Sequence, residues 1–223
     1  MQISLSFKHL YQAGITLLIL TLIFIGCAKP QMVTSYYILE YNPQPLNPRL
    51  KLPQPLPYRI QVRNFKIPRA YDSVRIIARY SAHQINYYRY SLWAVRPQIA
   101  VSDLLVTHIN AYRLFKDCQR EFLGERPDYE ITGEIQQIER FESELYIGAH
   151  LKMRFELYHY ETLDLLVIHE CDREVTVPPQ MEIFVKAISD LVYEEAETFL
   201  EKVVNYFTVQ QENPPSEDEK SIP

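Results

Sequence analysis

The side chains that could do chemistry are few and scattered. The six histidines are His9, His83, His108, His150, His159 and His169. A zinc or acid–base site on a helix would set two of them four positions apart, or set them among close cysteines. No pair has that spacing, so each reads as a structural or surface histidine. Glu139, Glu142 and Glu144 form an acidic cluster. On a hairpin such a run is expected to be a solvated face. No Gly-x-Ser-x-Gly elbow offers a nucleophile. The five glycines, Gly14, Gly26, Gly124, Gly133 and Gly148, are never clustered as a phosphate-cradling loop requires. A formal charge of −5 gives no electrostatic reason to expect nucleic-acid binding. These residues predict no enzyme, no metal and no cofactor.

Three cysteines remain to be placed: Cys27, Cys118 and Cys171. Lys8 precedes an unbroken apolar run from Ile15 to Ile25, and the run ends Phe24-Ile25-Gly26-Cys27. The run is too short for a bilayer span, which takes about 20 residues, but it suits a secretory leader over 1–26. Small residues before a cysteine at the end of such a run resemble the bacterial lipobox. That resemblance implies that Cys27 is acylated and becomes the first residue after cleavage. Ala28, where Asp would imply inner-membrane retention, implies the outer membrane. One acyl chain anchors only reversibly, and several hold a protein on a membrane. Cys118 and Cys171 are an even pair in an oxidising compartment, which permits a disulfide if their Cα atoms approach within about 7 Å. Buried free thiols are the other reading.

The stretch Arg79 to Pro97 is unusual. It holds the single Trp of the chain, Trp93, with Tyr80, Tyr87, Tyr88 and Tyr90 and with Arg79, Arg89 and Arg96. Tyr, Trp and Arg are enriched at binding hot spots. The other reading is aromatic strands packed under a helix, with guanidinium groups over rings.

The elements that must carry these residues follow from periodicity. Ser35 to Tyr41 has strong β character. Six prolines between positions 43 and 57 forbid a helix and favour an extended path, expected to hug the domain surface. Tyr58 to Ile67 is a strand with Ile60, Val62 and Phe65 on one side. Arg75 to Tyr80 and Gln84 to Tyr90 form a hairpin. Pro97 starts a helix, where its missing N–H costs nothing. Val101, Leu104, Leu105, His108 and Tyr112 line one face of that helix. Residues 128–177 alternate with period two, from Ile131, Gly133 and Ile135 through Leu145, Ile147, Ala149, Leu151, Met153, Phe155 and Leu157. This predicts a three-strand antiparallel meander with one buried face. Met181 to Phe207 is a long helix with Phe184, Ile188, Leu191, Phe199 and Val203 on its apolar side. The last segment, 208–223, reads as a disordered acidic tail. The expectation is one α+β domain over 58–207. It has an antiparallel or mixed sheet with helices on one face, preceded by the lipidated segment 27–57.

Several short motifs resemble the ABC-type transport auxiliary lipoprotein family, which includes paraquat-inducible protein C. They are Cys27, Tyr36-Tyr37-Ile38-Leu39, Ile67-Pro68, Arg79 to Ser81, Tyr87 or Tyr88, Trp93-Ala94 and Pro97. Tyr129-x-Ile131-x-Gly133 and Ala149-x-Leu151 follow further on. The proline-rich 42–57 is longer than that family's pattern. The resemblance implies a non-enzymatic, outer-membrane-anchored partner of an ABC permease, an ATPase and a periplasmic protein of the mammalian-cell-entry type. Such systems move lipids or other apolar molecules across the envelope. A homo-oligomer is left open. The partner-binding candidates are Tyr88, Arg89 and Trp93. The alternative reading is a structural or assembly lipoprotein of the envelope.

Overall fold

The computed structural model describes residues 32–43 and 47–212. The leader, Cys27 and 213–223 lie outside them. The chain divides into two units, 1–33 and 34–223, and the second carries the sheet and both helices.

The strands are β1 (Ser35–Tyr37), β2 (Leu56–Val62), β3 (Arg75–Ser81), β4 (Gln84–Trp93), β5 (Phe115–Gln119), β6 (Tyr129–Glu142), β7 (Ile147–His159) and β8 (Leu165–Thr176). The helices are α1 (Pro97–Tyr112) and α2 (Met181–Glu212). The eight strands form one mixed sheet built around β6. One edge of β6 pairs antiparallel with β7 along its length, from Tyr129 opposite His159 to Glu142 opposite Ile147. β8 continues that meander on β7. The other edge of β6 is shared. Its first residues pair in parallel with β2, Ile60 opposite Tyr129, and its last pair in parallel with β3, Ala78 opposite Arg140. β5 extends the sheet beyond β2. β4 and then β1 extend it beyond β3.

The alternation along β6 explains its buried face and one departure from it. Ile131, Gly133 and Ile135 point into the core, at odd positions. A bulge between Ile135 and Gln137 inserts one residue, and after it the inward residue is Ile138, at an even position. A bulge re-aims every side chain that follows it. Gly133 is required by a close approach. A Cβ there would stand 2.0 Å from the Arg154 carbonyl oxygen and 2.5 Å from the Phe65 ring.

Both helices cover this apolar face. Pro97 opens α1, and Arg113, with φ 52°, closes it in the left-handed region. Val101, Leu105, His108 and Tyr112 are buried as the spacing predicts. Phe184, Ile188, Leu191, Phe199, Val203 and Phe207 of α2 are likewise buried, where α2 lies over β7 and β8.

Some expectations are corrected. β1 stops at Tyr37 rather than Tyr41, because the chain there leaves the sheet to cross the helices. α2 continues past Phe207 to Glu212, so the first five residues of the expected tail are helical. β5 was not expected, since Phe-Lys-Asp-Cys-Gln has no clear alternation. Leu145 is not the first inward residue of β7. It stands in the β6–β7 turn, 94% exposed. Cys118 and Cys171 are both free. They lie on β5 and β8, with β2, β6 and β7 between them. At about 4.8 Å per strand that separation far exceeds disulfide reach.

Candidate functional site

The Tyr- and Arg-rich stretch folds as β3, a turn and β4. Trp93 is 2% exposed. It ends β4 where β1 pairs, opposite Tyr37, and its ring lies 6.3 Å from that of Phe184 on α2. It therefore fastens β4 to the core, and its side chain is not at the surface. Tyr88 is half-buried and donates its hydroxyl to Glu142, which also pairs with Arg140 at 2.8 Å. Arg89 is exposed, its guanidinium 5.5 Å from the centre of the Tyr90 ring. Tyr87 is also exposed and donates to the Ala70 carbonyl at 3.0 Å. The surface part of this region is thus Tyr87 and Arg89, with Tyr88 behind them.

Beside it, on the sheet face without helices, lies a polar network. Glu139 is fully buried, contrary to the solvated face expected of the acidic cluster. Its carboxylate accepts from Tyr71 Oη at 2.5 Å and from Arg79 Nε at 2.5 Å. His150 Nδ1 stands 3.4 Å away, and its Nε2 is 2.8 Å from Asp172, which also binds Lys152 at 2.8 Å. Burial alone would raise the Glu139 carboxyl, but the bonds from His150, Arg79 and Tyr71 outweigh it and hold the group below its usual range. The bond to Glu139 raises His150 above its ordinary value, against burial and with help from Asp172. Burial and the neighbouring Glu139 push Tyr71 up to about 12. The geometry suits a fixed ion-pair lattice that binds β3, β6, β7 and β8 together. The bulge in β6 is the one sequence signal for it, visible as apolar Ile135 and Ile138 three apart.

A second polar cluster fastens the proline-rich strap to the helices. The strap's described residues lie against the domain: Leu50 is buried, and just before the strap the Glu40 amide donates to Ser189 of α2 at 3.2 Å. The Asn47 amide donates to Tyr112 Oη at 2.7 Å, and Asn47 Nδ2 donates to Glu197 at 2.7 Å and to Glu201 at 2.9 Å. His108, fully buried, contacts Glu197 through Nε2 at 2.7 Å and Tyr41 Oη through Nδ1 at 3.2 Å. Its ring stacks between Tyr112 and Tyr193. Burial dominates here and lowers His108, despite Glu197.

Neither free cysteine is poised to react. Burial pushes both thiols up to about 12, so almost no thiolate forms at neutral pH. Among the described residues, no group of three or more His, Cys, Asp or Glu is arranged to hold a metal ion. Among them, too, no helix is long and apolar enough to cross a membrane.

Two solved structures are similar to this chain in fold. Protein XCC0632 from Xanthomonas campestris, assigned to DUF330, superposes with a TM-score of 0.66 at 12% identity, over 80% of this chain and 100% of that one. A second crystal structure, of an uncharacterized protein, superposes with a TM-score of 0.60 at 13% identity, over 77% of this chain and 99% of that one. No curated protein matches the sequence. Residues 37–198 match the family described as the ABC-type transport auxiliary lipoprotein component. That match runs from the last residue of β1 into α2 and takes in the hairpin, the polar network and the strap, so the chain belongs to the ABC-type transport auxiliary lipoprotein family.

Proposed function

We propose that this protein is a non-enzymatic subunit of an ABC transport system, held at the outer membrane by acylated Cys27. There it docks a periplasmic component of the mammalian-cell-entry type, in a system that moves lipids or other apolar molecules across the envelope. The observation that carries this reading is the family match over 37–198. The lipobox-like Gly26-Cys27 supports the anchor. The exposed Arg89 and Tyr87 on β4 support a contact surface, because Arg and Tyr supply binding energy where they can be desolvated by a partner. Trp93 stiffens that strand from behind.

The test is crosslinking in intact cells followed by purification of the protein from membranes. Recovery of a permease, an ATPase and a mammalian-cell-entry-type protein is the expected result. Arg89→Glu should cut that recovery about tenfold, as loss of a hot-spot contact does, while leaving the protein folded. Recovery of none of the three components would overturn the reading.

A further inference from the structure

We propose that the β6–β7 turn, with Leu145 at its tip, lies against the lipid surface to which the chain is anchored. This rests on the reading of Cys27 as the acylated residue. Leu145 is 94% exposed, yet its turn is tightly built. The Ser143 amide donates to the Tyr146 carbonyl at 3.0 Å, and Ser143 Oγ accepts from the amides of Leu145 at 3.3 Å and Tyr146 at 3.1 Å. The leucine is therefore held out into the surroundings by a fixed turn.

Its neighbours fit a membrane interface. Tyr146 is 39% exposed, with its ring 5.4 Å from that of Phe141. Tyr80, 40% exposed, lies at the same end, because Arg79 pairs opposite Phe141. Tyrosines with an apolar body and a polar tip collect at the headgroup level. The turn is not basic. Glu142 is taken up by Tyr88 and Arg140, and Glu144 is exposed. With exposed acids, Glu144 and Glu174, and no base in the turn, the contact suits zwitterionic lipid rather than attraction to anionic headgroups.

Exposure alone does not choose this end of the molecule. Leu163 is 73% exposed at the other end, beyond the pairing of Tyr129 with His159. The chain leading to the anchor makes the choice. β1 runs parallel to β4, with Ser35 opposite Ser91, so the residues before Ser35 arrive from the side of the β3–β4 and β6–β7 turns. By register, Ser35 stands about six residues below that end, or about 20 Å at 3.3 Å per residue. Leu163 lies about ten residues the opposite way, or about 33 Å. Cys27 is eight residues before Ser35, a reach of at most about 28 Å. The anchor can come level with Leu145 and cannot come level with Leu163.

The experiment uses the full, processed chain carrying Leu145→Cys, labelled with an environment-sensitive maleimide dye. It is reconstituted into phosphatidylethanolamine–phosphatidylcholine vesicles with nitroxide-bearing acyl chains. The parent chain with Leu145 intact, treated with the dye in parallel, accounts for any label on Cys118 and Cys171, and the Cys27 thiol is consumed by lipid. Leu145 touches no core side chain that folding needs, so the variant folds. The dye at Leu145 should shift to the blue and be quenched at least about twofold, as expected of a group placed at the acyl boundary. The same dye on Leu163→Cys should stay as in water. A water-like signal at Leu145 on vesicle-bound protein, or quenching only at Leu163, overturns the proposal and leaves the anchor standing. A signal at Leu145 that shifts only when the periplasmic component is added also overturns it, and assigns the turn to that protein. Protein that fails to float with vesicles overturns the reading of Cys27 and the proposal with it.

Discussion

His108 and His150 each sit beside a carboxylate, and the fold drives them in opposite directions. The difference lies in what each ring nitrogen faces. His150 has an acceptor on both sides, Glu139 and Asp172, which only the doubly protonated ring can satisfy. His108 has Glu197 on one side and the Tyr41 hydroxyl on the other, an arrangement that the neutral ring satisfies completely. His108 is also fully buried between aromatic faces, so charging it costs desolvation that a single carboxylate does not repay. Proximity of a carboxylate therefore does not decide the charge of a histidine. The set of partners and the access of water decide it.

The largest expected effect that probes this contrast comes from Glu197→Ala. It leaves His108 and Tyr112 Oη without their acceptor in the core, and Asn47 Nδ2 with Glu201 alone. The cost should be about 3 kcal/mol, read from the shift in denaturant midpoint. Proteolysis should also become faster in the strap. Glu139→Ala should cost less, about 2 kcal/mol, because the Arg79 it abandons is partly exposed and can turn to water. Equal costs would show that the two clusters are equivalent after all.

The smallest effect is the most specific. By NMR, His150 should titrate above the usual value of 6.5 and His108 below it. The signs of the linked stability then differ. The contribution of His150 is complete below pH 6.5 and is lost as pH rises through its raised folded value. That of His108 is complete above pH 6.5 and is lost as pH falls toward its lowered one. Glu139 adds stability that is lost only as pH falls through its depressed value. A single shared midpoint for both histidines would break the comparison.

Much of this architecture is legible in the residues. The period-two run from Tyr129 to Leu157 gives the meander, and Pro97 gives the start of α1, because both patterns report local geometry. The strap is legible only in part: its prolines exclude an α-helix, yet Pro48–Leu50 forms a 3-10 turn and Pro57 lies within β2. Glu139 is not. Its burial depends on Tyr71 and Arg79, which lie 68 and 60 residues away, and on a bulge that changes which parity faces inward. Trp93 is ambiguous in the sequence because an aromatic suits both a core and a contact surface. Only the parallel pairing of β1 across the end of β4 settles that it is core. What the sequence leaves dark is whatever depends on two distant segments meeting.

The shared edge of β6 carries a consequence for how the chain reaches this state. β2 with β5, and β3 with β4, join into one sheet only through β6, and pairs such as Arg59 with Asp128 close loops of 69 residues. Such closures cost entropy before they return any contact, which makes folding slow. No early half can finish alone, because the halves meet on one strand. In a chain built this way, the sheet closes only after residue 142 has been made.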